Sequence, residues 1–184
     1  METITKSFSV YTYEELVKLG NTGAIKKANQ NIMEDMEETV HDFYLHEFED
    51  SLKEFAKVLG TSIQNYSFGL FSRSYITFNL EEHKDNDNVF KNEAVKELNN
   101  YKKWNDAEYT GVYTDVYISE YLTKHYPNGL TYNDLTTIVK NAPQAMLEAF
   151  QNDNEKHVLD EREYKEYAEV REWDFKEDGS LYFE

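Results

Sequence analysis

The chain has 184 residues and a mass of 21.8 kDa, a length suited to one domain over residues 1–184, and its 36 Asp and Glu outweigh 19 Lys and Arg to give a formal net charge of −17. That balance argues against the extended basic footprint a nucleic-acid-binding surface needs while leaving room for a local basic patch, so no direct contact with duplex DNA is expected, and the absence of cysteine excludes disulfides, thiolate nucleophiles and cysteine-ligated zinc. No stretch approaches the roughly 18 apolar residues that span a bilayer, and aromatics at 15% are too many for a disordered acidic tail, so a folded, soluble, cytoplasmic protein without a membrane partner is expected.

Residues 3–11 (TITKSFSVY) alternate β-branched or aromatic residues with polar ones, the period of a half-buried strand. Thr12 and Glu15 then form a capping box, flanked by Tyr11 and Leu16 as a hydrophobic staple, and Gly20-Asn21-Thr22-Gly23 ends the short helix they open. Over residues 24–59 the apolar side chains Ile25, Ala28, Ile32, Met36, Val40, Phe43, Phe48, Leu52, Phe55 and Leu59 recur mostly three or four apart, which predicts one long helical face. At ~1.5 Å rise per residue that rod would reach about 54 Å, longer than a small domain is wide, so a kink, a break or a role in self-association is expected. Gly60 supplies its stop.

Residues 62–69 and 73–80 read as a hairpin with Tyr66, Phe68, Ile76, Phe78 and Leu80 on its buried face. The polar run EEHKDNDN over 81–88 reads as a loop, and helices follow over about 89–103 and 114–126, the second ended by Pro127-Asn128-Gly129. Thr131 with Asp134, and the staple Leu130/Leu135, open a further helix that Ala142-Pro143 is expected to interrupt. An acid-rich helical stretch to about Glu169 gives way to a hairpin turning on Asp178-Gly179. The sum is an α+β fold, a small antiparallel sheet with long helices packed on one face.

Most chemistry-bearing patterns fail on spacing. His41 and His46 stand five apart, which splays the imidazoles away from a common metal, unlike the i,i+4 pair of HExxH. The run Asp85-Asn86-Asp87-Asn88 lacks the glycine and the bidentate Glu of a calcium loop, Phe90 and Lys96 standing in their places. No GxSxG, serine–histidine frame or glycine-rich phosphate loop occurs, so no cofactor or metal is expected and nothing signals an enzyme.

Two features point outward. Residues 34–54 carry Glu34, Asp35, Glu37, Glu38, Asp42, Glu47, Glu49, Asp50 and Glu54 against the single cation Lys53, although like charges at i,i+4 cost a few tenths of a kcal/mol each. Such a column is either a solvated face that keeps an acidic protein soluble or a stand-in for the phosphate ladder of a nucleic acid, steered into a basic groove on a protein partner. A second acidic segment, 153–178, interleaves lysines and arginines and reads as ordinary surface ion pairing. The hairpin tip offers Phe71, either tucked into the core or anchoring an interface, and Arg73. Lys102-Lys103-Trp104 reads as a helix end bearing cations, with contact to RNA as the alternative.

The segments FSVYTYEEL, AIKKANQNIMEDME and KVLGTSIQNYSFGLFSRSYITF together resemble, over roughly residues 8–80, a loose group of small proteins encoded by phages of low-GC Gram-positive bacteria. Together with size and acidity, this resembles the anti-CRISPR inhibitors of type II effector nucleases. The resemblance implies a cytoplasmic protein of the infected host whose partner is a nucleoprotein effector, with or without its guide RNA. The residues placed at that contact are Glu34, Asp35, Glu37, Glu38, Asp42, Glu49, Asp50, Phe71 and Arg73. Two other readings remain: a phage assembly protein that dimerises through the long helix, and a factor promoting guide-RNA cleavage through Arg73, Lys102, Lys103 and Trp104.

Overall fold

A computed structural model describes residues 9–101 and 116–182. In chain order the elements are β1 (Val10–Tyr11), α1 (Tyr13–Leu19), α2 (Thr22–Thr39), a π-helical segment (Val40–Tyr44), α3 (Leu45–Val58), β2 (Ile63–Ser67), β3 (Tyr75–Phe78), α4 (Leu80–Asp85) and α5 (Asn88–Tyr101). Then come α6 (Val116–His125), a 3-10 turn (Tyr132–Asp134), α7 (Leu135–Leu159), α8 (Tyr164–Val170), β4 (Asp174–Lys176) and β5 (Leu181–Tyr182). The class is α+β, with the strands divided between two small antiparallel sheets rather than gathered in one. Contacts gather the chain into two compact units, Met1–Thr39 with Lys156–Glu184, and Val40–Glu155.

The first unit is built from local signals closed by one hairpin. Thr12 N donates to Glu15 Oε2 at 3.0 Å and Glu15 N donates back to Thr12 Oγ1 at 3.3 Å, the capping box that opens α1. Asn21 Oδ1 accepts from Gly23 N and Ala24 N, each at 3.2 Å, and so opens α2. The β4–β5 hairpin pairs with β1 in the order β1-β4-β5 and turns on Asp178-Gly179. Gly179 has φ 81°, and a Cβ there would lie 2.0 Å from the Ala24 carbonyl oxygen, so only glycine lets this turn press onto α2. Asn31 Nδ2 donates to Gly179 O at 3.2 Å and Lys27 Nζ to Asp178 Oδ2 at 2.8 Å. Leu16, Ala28, Ile32, Met36 and Phe175 fill the core, with Tyr13 edge-on to Phe175 at 6.1 Å.

The second unit packs around a stacked aromatic pair. Phe48 and Phe150 lie 4.5 Å apart and nearly parallel, with Tyr117 edge-on to both. The β2–β3 hairpin has its bulge between Ile63 and Asn65 and buries Ile76 and Phe78. Gly60, at φ 62°, ends α3 where a Cβ would fall 2.1 Å from the Asn86 amide nitrogen.

Three expectations of the sequence are corrected here. Pro143 does not interrupt its helix: α7 runs through it, because Ile138, Val139, Ala142, Met146, Leu147 and Phe150 are all buried, which outweighs the roughly 3 kcal/mol that an internal proline costs. Residues 81–88 are not a simple loop, since Asn79 Oδ1 accepts from Glu81 N and Glu82 N and opens α4. Buried His83 ties that helix down, its Nδ1 2.7 Å from Leu59 O. Phe43 leaves the apolar stripe: Val40 and Leu45, five apart, are both buried, and Phe43 is 58% exposed. The wider π-turn carries one extra residue, so the buried face resumes at Leu45 instead of at Phe43.

Candidate functional site

In the first unit α2 buries Ala28, Ile32 and Met36, so Glu34, Glu37 and Glu38 fall towards its outer side. Glu34 Oε1 accepts from Gln30 Nε2 at 2.8 Å, whereas Glu37 and Glu38 have no hydrogen-bond or ion-pair partner among the described residues. Asp35 lies towards the buried side and is engaged by α8 and the residue after it. Its Oδ2 accepts from Tyr167 OH at 2.6 Å and lies 3.1 Å from Arg171 Nη2, which also donates to Thr39 Oγ1 at 2.8 Å. Burial, and then the hydrogen bond to the Asp35 carboxylate, push the Tyr167 phenol above its ordinary range. No periodicity in the sequence could pair Asp35 with Arg171, since the two are far apart along the chain.

In the second unit three of the four acids of α3 lie beside lysines one turn later. Asp50 Oδ1 accepts from Lys53 Nζ at 2.8 Å, Glu49 lies 4.0 Å from the same ammonium, and Glu54 pairs with Lys57. The Asp50 carboxylate holds the Lys53 ammonium above its usual range. Asp42, exposed in the π-segment, lies 3.4 Å from His41 Nδ1. Glu47 has no ion-pair partner among the described residues. Tyr66 OH is buried without a hydrogen-bond partner among them, and burial, with the nearby Glu49 charge second, pushes that phenol well above its ordinary range.

The hairpin tip divides its residues cleanly. Leu70 is buried, Phe71 is 44% exposed, and Arg73 is exposed with no carboxylate at ion-pair distance among the described residues. Two glutamines of α7 hold this tip. Gln151 Nε2 donates to Gly69 O, Leu70 O and Ser72 O at 2.8–3.1 Å. Gln144 Oε1 accepts from Ile76 N at 3.1 Å while its Nε2 donates to Ser74 O at 3.3 Å and Glu148 Oε1 at 2.9 Å, so the side-chain amide stands where a neighbouring strand would pair with β3. Beside them opens a groove of about 550 Å³ lined by Ser72, Arg73, Tyr75, Gln144, Glu148 and Gln151. The sequence reading singled out Arg73 and Phe71 but missed this wall, because Gln144 and Gln151 look like ordinary polar positions of a helix.

Among the described residues no group of three or more His, Asp or Glu side chains is arranged to hold a metal ion, and no helix is long and apolar enough to cross a membrane. Lys102, Lys103 and Trp104 lie outside the described residues. Comparison with protein families, with curated proteins and with solved structures finds no match to this chain.

Proposed function

We propose that this chain is a binding protein whose partner is the cationic, nucleic-acid-binding surface of a host defence nuclease, a type II CRISPR effector being the class that its resemblance to phage inhibitors implies. The supporting observation is the contrast in carboxylate pairing. Glu37 and Glu38 on α2 have no partner among the described residues, and Glu34 beside them meets only the neutral amide of Gln30, in a chain whose net charge is −17. Charges of this kind act mainly on encounter rate and salt dependence, and release of the partner's counterions does not require burial of the acids.

The test is capture of a purified guide-loaded type II effector by the full chain at low and at physiological salt. The triple variant E34K/E37K/E38K is expected to weaken capture about tenfold or more at low salt with an unchanged helical spectrum. Failure of the unaltered chain to bind the effector, or equal capture by the triple variant, overturns the reading.

A further inference from the structure

We propose that the groove between the β2–β3 hairpin and α7 is a docking site for a short peptide segment of a partner protein, one that presents an anionic group to Arg73 and a cationic side chain to Glu148. The groove stands on observations separate from the acidic face of α2.

Its two charges define the occupant. Arg73 and Glu148 line the same groove, yet they form no ion pair with each other, and neither has another charged partner among the described residues. In a chain with almost twice as many acids as bases, an arginine without a carboxylate partner is an unused cation. A polyanion is disfavoured there by Glu148 and by the overall charge, and a polycation by Arg73. A dipolar ligand satisfies both, and about 550 Å³ is larger than one amino acid needs and within the range of small-ligand and peptide pockets.

The wall is set before binding. Gln151 holds three carbonyls of the tip, and Ser74 Oγ both accepts from Gly69 N at 3.1 Å and donates to Gly69 O at 3.2 Å, so the loop carrying Arg73 needs little ordering when a ligand arrives. Gln144 already occupies the outward N–H of Ile76 and C=O of Ser74, so this edge of β3 is closed to strand addition at those groups. Recognition therefore runs through side chains. The ring of Tyr75, 48% exposed and lining the same groove, supplies apolar area beside the two charges at little entropic cost.

The test titrates the full chain with acetyl-Asp-Phe-Lys-amide, with acetyl-Lys-Phe-Asp-amide and with neutral acetyl-Asn-Phe-Gln-amide, following amide resonances of residues 72–75 and 144–151. One of the two charged peptides is expected to shift these resonances with an affinity at least about fivefold above that of the neutral peptide. R73Q and E148Q should each remove that advantage, and R73E/E148K, which exchanges the charges and gives up only the Gln144 Nε2–Glu148 Oε1 hydrogen bond while keeping the bonds of Gln144 to Ile76 N and Ser74 O, should reverse the preference between the charged peptides. Equal response to all three peptides, no response at these residues, an unchanged preference in R73E/E148K, or a stronger response to adenosine monophosphate than to any peptide would each overturn the proposal. None of these outcomes bears on capture of the nuclease by α2, so the two readings fail separately.

Discussion

The acids of α2 and of α3 read alike in sequence, yet they stand in different surroundings. On α3, Asp50 and Glu54 each meet a lysine three positions on, so two of the four acids of that helix are matched within its own next turn. On α2 no lysine follows Lys27; Asp35 is matched by Arg171 from beyond α8, and Glu37 and Glu38 have no partner among the described residues. A run of carboxylates therefore says little about free negative surface until the cations that return to it through the fold are placed.

The sharpest way to break this contrast is to remove what closes the first unit. Gly179→Ala forces a side chain onto a positive φ and against the Ala24 carbonyl oxygen, and should cost about 2–4 kcal/mol in chemical denaturation, with amide protection lost first in α2 and in the β4–β5 hairpin. A cost well below 1 kcal/mol would show that the hairpin does not press on α2. Next in size is Asp35→Ala, which leaves Tyr167 OH and the Arg171 guanidinium without their shared carboxylate; because both ion-pair partners are partly exposed, the expected loss is about 1 kcal/mol. By contrast Lys53→Ala, on an exposed local pair, should stay within about 0.5 kcal/mol by the same measurement. If Asp35→Ala costs no more than Lys53→Ala, the distinction between long-range and local neutralisation has no energetic content.

Acid titration sharpens the comparison further. Lys27, followed by Ser180, holds the Asp178 carboxyl well below the usual carboxylate range. A lowered folded-state value means that the unfolded chain takes up the proton first. The contribution is therefore complete well above the ordinary aspartate value of about 4, is lost progressively as pH falls below it, and is gone once pH has passed through the lowered one. Asp178→Asn should accordingly change stability near neutral pH and flatten the acid limb of the stability curve, whereas an acid limb identical to that of the unaltered chain would show that the pair does not persist in solution.

Much of the local architecture was legible in the chain. The caps at Thr12 and Thr131, the stop at Gly60, the β2–β3 hairpin and the turn at Asp178-Gly179 all form where the residues put them. The caps, the stop and the Asp178-Gly179 turn depend on groups within about five positions, where backbone sterics and side-chain reach suffice, and the hairpin on an alternating pattern along two neighbouring segments. Of the candidate site, Arg73 and the acids were legible as residue types, but which of them remain available was not. Asp35, Asp50 and Phe71 have the same standing in the sequence, and only their neighbours separate an engaged acid from an exposed ring.

What the sequence by itself determined is the charge, the class of fold and the ends of several elements, among them the start of α1, the end of α3 and the β4–β5 turn, because these follow from composition and from contacts along one or two turns. Tertiary structure alone decided that Pro143 stays inside a helix, that Phe43 faces out while Leu45 faces in, that Asp35 is held by Arg171, and that two glutamines of α7 build the wall of a groove. For Pro143 and Phe43 the reason is that burial of surrounding apolar surface is worth several kcal/mol, more than the local preference it overrides; for Asp35 and the glutamines it is that the hydrogen-bond partner comes from a segment far along the chain and arrives only when the fold closes.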